Sequence, residues 1–236
     1  MFRREIGWSQ EATNTWYVAK AIEQLIGVSG ASLTTGEQTV NKPFSDSAFD
    51  FTTLVSSVST TVTVQGLIPA SGDATLRNYI TSLTINTDAL GAAGLLWILN
   101  GALTVTSVAT GTGLATTSTA HDLKVGDSVV FTALAGGTGL STNTIYYVRA
   151  VPSPTTFNFS TTILGANTVP SVAYTGTTCY QLLFQFRLQT AAIGVPTTIT
   201  FPTPLRGALN VNTNFLIPTS MTSGTIYLTA NGYRAV

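Results

Sequence analysis

The sequence contains little charge and few of the residues that build reactive sites. Charged residues make up 8% of the 236 residues, against about 25% in typical soluble proteins. There is one cysteine, Cys179, and one histidine, His121. The chain can therefore form neither an internal disulfide nor a zinc site of several Cys and His ligands, and we expect no metal and no cofactor.

Long hydrophobic runs are also missing. A transmembrane helix needs about 18 or more consecutive apolar residues, and no such run occurs, so we expect no membrane partner. The opening MFRREIGWSQ has no apolar stretch after its basic start, which predicts no signal peptide and synthesis in a cytoplasm. With 44% hydrophobic and 9% aromatic residues, the composition is that of a folding chain. Its polar surface must come from Thr, Ser, Asn and Gln.

The few charges are unevenly distributed. All ten acidic residues lie at or before Asp127, whereas four of the ten basic residues follow it: Arg149, Arg187, Arg206 and Arg234. Four scattered arginines form no basic stripe, so we expect no nucleic-acid binding. The asymmetry fits contact between unlike regions of neighbouring subunits, and it equally fits a chance distribution of few charges.

The stretch HDLKVGDSVVF, residues 121–131, is the first place to look for chemistry, because His121 lies near Asp122 and Asp127. Its pattern predicts a turn at Gly126-Asp127 and a strand from Ser128, with His121 capping or packing at the mouth of the strand. No nucleophile motif, phosphate loop or metal-binding motif occurs elsewhere. We therefore predict no enzyme and no catalytic residue.

One segment near the N-terminus has the periodicity of a helix. In SQEATNTWYVAKAIEQLIGVSG, Ser9 suits an N-cap and Gly27 a C-terminal cap. Large apolar residues recur at helical spacing on a wide face, or lie just before it: Trp8, Trp16, Val18, Ile22, Leu25 and Ile26. This face should pack either on the chain's own domain or on a neighbouring protein.

From residue 49 onward the chain shows the two-residue period of β-strands. In YQLLFQFRLQ the alternation predicts that Leu182, Phe184, Phe186 and Leu188 face one side. Short strands with turns and no intervening helix indicate an all-β fold, an antiparallel jelly-roll-like β-sandwich with a short N-terminal helix. The core of this sandwich, or of a trimer, is predicted to contain Trp97, Leu182, Phe184, Phe186, Leu188 and Phe201.

Residues 102–179 interrupt this sandwich. GLLWILNG, which ends at Gly101, and QLLFQFRLQ, which starts at Gln181, would form a hairpin if joined directly. Insertions at hairpin tips are tolerated because the two ends are close in space. We therefore predict an N-terminal helix and linker over 1–48, a jelly roll in two parts over 49–101 and 180–236, and a small inserted β domain over 102–179.

Three parts of the sequence resemble bacteriophage virion proteins. GWSQEATNTWYVAKAIEQLIGV is similar to a short helix at the head of phage structural proteins. YITSLTINTDALGAAGLLWILNG, FRLQTAAIGVPTTITFPTPLRGALN and GTIYLTANGY resemble a jelly-roll module of head-decoration and fibre proteins. HDLKVGDSVVF through IYYVRAVPSPTTFNFS resembles a small β module of tail and capsid accessory proteins. The resemblance implies a homotrimer and offers no catalytic residue.

The resemblance implies a place in the virion, on the capsid exterior rather than the tail. We expect a decoration, cement or head-fibre subunit whose N-terminal apolar residues contact the major capsid protein or another virion protein. The apolar runs LLWIL and LLFQF fit strands covered on one face by the second sheet and on the other by a neighbouring subunit. The alternative is a tail or fibre module that binds host cell-surface glycan through residues 102–179, where Tyr146 and Tyr147 lie.

Overall fold

The computed structural model describes residues 49–190 and 195–236. Within these ranges the chain forms twelve β-strands and no helix: β1 Phe49–Val58, β2 Gln65–Ile68, β3 Arg77–Thr87, β4 Gly94–Val108, β5 Leu114–Thr117, β6 Ser128–Ala135, β7 Ile145–Ser153, β8 Thr156–Ser160, β9 Gly176–Leu188, β10 Thr197–Leu209, β11 Thr213–Leu216 and β12 Thr225–Ala235. The predicted N-terminal helix lies outside the described residues. In the part of the chain so described, no helix is long and apolar enough to cross a membrane.

Eight of the strands form a jelly roll. The first strand pairs with the last in an antiparallel ladder, β1 with β12, and the pairs β2–β11, β3–β10 and β4–β9 follow inward. The ladder is wrapped so that β1-β12-β3-β10 form one sheet and β2-β11-β4-β9 the other. Two four-stranded sheets in this arrangement make an eight-stranded jelly roll. The predicted all-β, antiparallel jelly-roll sandwich is confirmed.

The strands between β4 and β9 close into a barrel. The order β4-β5-β8-β7-β6-β9 returns to its start because β9 also pairs with β4. Full closure removes the free edges that these short strands would otherwise expose. β4 and β9 have 15 and 13 residues. One half of each strand belongs to the jelly roll and the other half to the barrel. They run through the predicted boundaries at 101/102 and 179/180 without interruption, and the division into domains stays a prediction.

The buried apolar residues form three clusters. The intersheet core lies between the two jelly-roll sheets and includes Ile80, Leu83, Ile98 and Leu228. The barrel core contains Phe131, Phe157 and Phe159, whose rings contact one another at centroid distances of 5.1 to 6.0 Å. The outer cluster contains Trp97, Leu99, Val130 and Leu216.

The alternation of β9 breaks at Leu183. Phe184 is opposite Ile98 and Leu182 is opposite Leu99, so β9 has one extra residue between consecutive partners on β4. Such a β-bulge turns the following side chains to the other face. Phe184, Phe186 and Leu188 belong to the intersheet core, whereas Leu182 packs on the outer cluster. The prediction that Leu182 faces the same side as Phe184 is therefore wrong, because the bulge leaves no trace in the apolar pattern.

Candidate functional site

His121 lies between β5 and β6, 8% exposed. Its Nδ1 accepts a hydrogen bond from the backbone N–H of Leu123 at 3.3 Å. Its ring meets Phe157 edge-on, with centroids 5.4 Å apart. Burial lowers the pKa of His121, and the Thr156 backbone and the Asp122 charge offset part of this effect. The ring of His121 thus packs against a phenylalanine of the barrel core ahead of β6.

The two carboxylates near His121 have structural partners of their own. Asp122 Oδ2 forms an ion pair with Arg77 Nη1 at 2.5 Å, which links the loop before β6 to the start of β3. Asp127 Oδ2 accepts hydrogen bonds from the backbone N–H of Lys124 and from Gln181 Nε2, both at 2.8 Å. Gly126 adopts a φ of +96°, which suits the predicted turn, and β6 begins at Ser128. The turn and the strand start are confirmed.

A polar network at the junction of jelly roll and barrel was missed by the sequence reasoning. Asn100, 5% exposed, donates from Nδ2 to Gln181 Oε1 at 3.0 Å, and Gln181 in turn donates to Asp127. Asn100 Oδ1 accepts from the backbone N–H of Ala208 at 2.8 Å and of Gly101 at 3.0 Å. β4 has its own register break between Leu99 and Ala102. The sequence did contain a signal for this network: Asn100 follows the apolar residues of GLLWILNG, and Gln181 begins QLLFQFRLQ, the predicted partner strand.

The single cysteine lies in the barrel core. Cys179 is fully buried, and burial raises the pKa of its thiol to about 12. A thiol that stays protonated is neither a good nucleophile nor a metal ligand. Among residues 49–190 and 195–236, no group of three or more His, Cys, Asp or Glu side chains is placed to hold a metal ion.

Tyr146 and Tyr147 occupy opposite faces of β7, and the prediction that one belongs to the core is confirmed. Tyr146 is 3% exposed and packs against Phe131 and Phe159 of the barrel core. Its hydroxyl accepts a hydrogen bond from the backbone N–H of Ser141 at 2.9 Å. Tyr147 is half-buried.

The predicted set of core residues is divided between two clusters. Leu188 is buried in the intersheet core, and Phe184, Phe186 and Phe201 are half-buried at its margin, where Phe184 and Phe201 meet edge-on at 5.1 Å. Trp97 and Leu182 belong to the outer cluster, and Trp97 Nε1 donates to Gln185 Oε1 at 3.1 Å. The N-terminal set Trp8, Trp16, Val18, Ile22, Leu25 and Ile26 lies outside the described residues, and its anchoring role stays a prediction.

The outer cluster is covered within the chain. Trp97 is 3% and Leu99 0% exposed, and their neighbours include Val130 of β6, Ile145 of β7 and Val64 before β2. Asn143 Nδ2 also reaches the carbonyl of Pro218 at 3.2 Å, from the loop before β7 to the segment after β11. The apolar outer face of β4 therefore needs no neighbouring subunit for its burial.

Polar, uncharged side chains cover part of the outer face of the β1-β12-β3-β10 sheet. Thr52 Oγ1 donates to Asn231 Oδ1 at 2.9 Å, and Asn231 Nδ2 donates to Ser82 Oγ at 3.1 Å, which joins three strands. Thr84 and Thr198 hydroxyls are 2.9 Å apart across β3 and β10. Cross-strand pairs of this kind stabilise a sheet and present hydroxyl and amide groups, in line with the low charge of the sequence.

No protein-family model and no curated protein matches the chain. Among solved structures, chains of infectious bursal disease virus, strains Gt and Gx, align with 80% of this chain at 14% and 12% identity. The TM-scores are 0.13 and 0.12, and the alignments cover 41% and 37% of those chains. This chain thus spans about two fifths of their length, and scores this low carry no argument.

Proposed function

We propose that this chain is a non-enzymatic structural subunit of a bacteriophage virion, a decoration, cement or head-fibre protein on the capsid exterior. The observation that carries the proposal is a complete jelly roll whose strands β4 and β9 continue into a closed barrel. Double-sheet jelly rolls are an architecture of viral capsid and lectin domains. Because a fold alone does not define a function, the chemistry of the side chains must agree with it.

The side chains most able to react are engaged in the structure instead. His121 is packed on Phe157, Asp122 is paired with Arg77, and Cys179 is buried with a raised pKa. Catalysis by such groups requires a base and a nucleophile, or two acids, facing the same accessible space. The arrangement supports a role in which surfaces, rather than reactive groups, do the work.

In this proposal the N-terminal apolar residues provide attachment to the major capsid protein or another virion protein. Each large apolar side chain that becomes buried contributes about 1.5–3 kcal/mol, and several copies in one assembly multiply the attachment. The homotrimer stays a prediction that rests on the resemblance. Its supporting argument from both faces of β4 no longer applies, because Trp97 and Leu99 are covered within the chain.

The test is incorporation into particles. A tagged chain is produced during infection and purified particles are assayed for the tag, for the unchanged protein and for two double variants. Ile22→Asp with Leu25→Asp should abolish incorporation, whereas Thr13→Asp with Gln24→Asp, which changes charge equally outside the apolar set, should preserve it. Absence of the unchanged chain from particles would refute the virion role, and equal incorporation of both variants would refute the anchor.

One observation favours the second candidate, a host-recognition module. The loop after β8 exposes two adjacent large aliphatic residues, Ile163 at 66% and Leu164 at 72%, and Leu164 has a φ of +60°. A non-glycine residue in this region is uncommon, and such strain often marks a functional loop. Ile163→Ser with Leu164→Asn should reduce adsorption to cells and leave incorporation unchanged if recognition is the function; unchanged adsorption would count against it.

A further inference from the structure

Among the residues that the structure describes, β1 is an edge strand without the usual protection against pairing. It lies at the end of the β1-β12-β3-β10 sheet, and no described strand pairs with its other side. Its ten residues, FDFTTLVSSV, run in continuous register with β12 and contain neither a bulge nor a proline. Asp50 is its only charged residue. Natural edges are normally blocked by charges, prolines, bulges or short length, because free backbone N–H and C=O groups attract another strand.

The other edges in the described part of the jelly roll carry such protection. β2 has only four residues. β10 contains Pro202 and Pro204 and breaks register with β3 twice. The half of β9 beyond its last pairing with β6, at Leu182, is short and begins with the bulge at Leu183. β1 differs from all three, so the lack of these devices belongs to this strand and not to the fold.

The side chains of β1 also leave an apolar residue on the surface. Phe51 and Val55 pack against the intersheet core, and the alternate residues point outward. Among these, Leu54 is 74% exposed in the middle of the strand and Val58 is 55% exposed at its end. A central exposed leucine, beside an edge that no described strand covers, suits a contact that combines hydrogen bonds with apolar burial.

We propose that β1 pairs with β1 of a second copy of this chain, antiparallel and about a two-fold axis at Leu54. In an antiparallel pair, side chains of directly opposite residues lie on the same face of the sheet. The two-fold axis must therefore lie midway between the two copies of one residue, so that this residue is opposite itself. A ten-residue strand then allows near-complete overlap only about residue 53 or 54. The axis at Leu54 places the two exposed leucines directly opposite each other and brings Thr52 opposite Ser56 of the second copy.

The distribution of charge also fits a second copy. In this register each Asp50 lies opposite Val58, so the two Asp50 carboxylates are at opposite ends of the paired strands. No like charges meet, and the central residues Thr52, Leu54 and Ser56 are uncharged. The contact is two-fold and therefore separate from the homotrimer proposed above. It does not rest on the virion role.

Cysteine cross-linking of the full-length chain tests the pairing. Cys179, the only cysteine, is fully buried and protonated, so a thiol introduced on β1 is the reactive one. Directly opposite residues lie within the separation that a disulfide requires, up to about 7 Å between Cα atoms. Leu54→Cys should therefore form a covalent dimer under mild oxidation. Thr52→Cys alone should not, because two copies of residue 52 would lie roughly 14 Å apart. A mixture of Thr52→Cys and Ser56→Cys chains should give the mixed dimer.

Each other outcome overturns the proposal. If Leu54→Cys reacts with a small thiol reagent but gives no dimer, the edge is free or belongs to a different partner. If it gives neither dimer nor reaction, another segment of the chain covers the edge. If Thr52→Cys alone forms a dimer, the strands are parallel or in another register.

A charge variant tests the contact without covalent trapping. Leu54→Lys puts two like charges opposite each other and removes the leucine pair. The dissociation constant of the dimer, measured by sedimentation, should therefore rise about tenfold or more. Ser56→Lys adds the same charge on the same face away from the axis, and the dimer should persist. Equal effects of both lysines, or an unchanged dimer in both, would refute the axis at Leu54.

Discussion

Replacement of Asn100 by alanine is expected to loosen the junction between jelly roll and barrel. The side chain is buried at the register break of β4, and its two ends serve different elements. Nδ2 reaches Gln181 on β9, and Oδ1 reaches the backbone of Ala208 on β10. The alanine variant therefore leaves a side-chain acceptor, on Gln181, and two backbone donors, of Ala208 and Gly101, without their partner.

The expected magnitude follows from burial. A buried polar group that loses its partner costs about 1–3 kcal/mol. Gln181 and Ala208 are half-buried, so water can replace part of the loss, and Gln181 keeps its hydrogen bond to Asp127. We expect a decrease of about 2–3 kcal/mol in the free energy of unfolding, which is a large fraction of the stability of a typical domain.

Urea unfolding followed by circular dichroism measures this decrease. Asn167→Ala is the matched control, because Asn167 is exposed and makes a single hydrogen bond, from Nδ2 to the carbonyl of Thr112 at 3.2 Å. Exposed substitutions of this kind usually change stability by about 0.5 kcal/mol or less. Equal losses in the two variants would show that the Asn100 network does not stabilise the junction.

Three further predictions concern single residues. Because the pKa of His121 is lowered in the folded chain, the unfolded chain binds a proton at this residue at higher pH than the folded chain does. The free energy of unfolding should therefore fall as pH drops below about 6.5, by up to about 1.36 kcal/mol per pH unit. Urea unfolding at several pH values should show this contribution in the wild type and not in His121→Gln. Cys179, with its pKa raised to about 12, should resist a maleimide in the folded chain and react after denaturation, so rapid labelling of the native protein would contradict its burial. In Gly232→Ala the new Cβ would collide with the carbonyl oxygen of Tyr79 and should cost about 1–3 kcal/mol in thermal or urea unfolding, whereas Gly66→Ala, with no atom within 4 Å of its Cβ, should cost much less.

The sequence predicted those features that depend on local pattern. Alternation of apolar residues identified β9 and the sandwich, because one face of each strand must be buried. Gly126-Asp127 identified a turn because glycine adopts a positive φ without strain, and the neighbouring tyrosines of β7 had to face opposite sides.

Features that depend on register could not be predicted in this way. The bulge at Leu183 changes the face of Leu182 without changing the order of residue types in QLLFQFRLQ. Barrel closure depends on pairings such as Leu114 with Asn158, which are distant in sequence. The Asn100 network forms only where the breaks in β4 and β9 lie side by side, so its members look like isolated polar residues until the register is known.

The hydrophobic pattern of a strand reports on its faces and not on its edges. LLWIL correctly indicated burial on both faces of β4, but the second cover comes from Val130 and Ile145 of the same chain, so the pattern does not require another subunit. Pairing at an edge uses backbone groups that every residue type carries. Only the position of β1 at the end of its sheet distinguishes FDFTTLVSSV from an interior strand. We therefore propose that copies of the chain contact each other at the edge that carries the exposed Leu54. The apolar pattern had instead predicted a contact between subunits at the strand that contains Trp97.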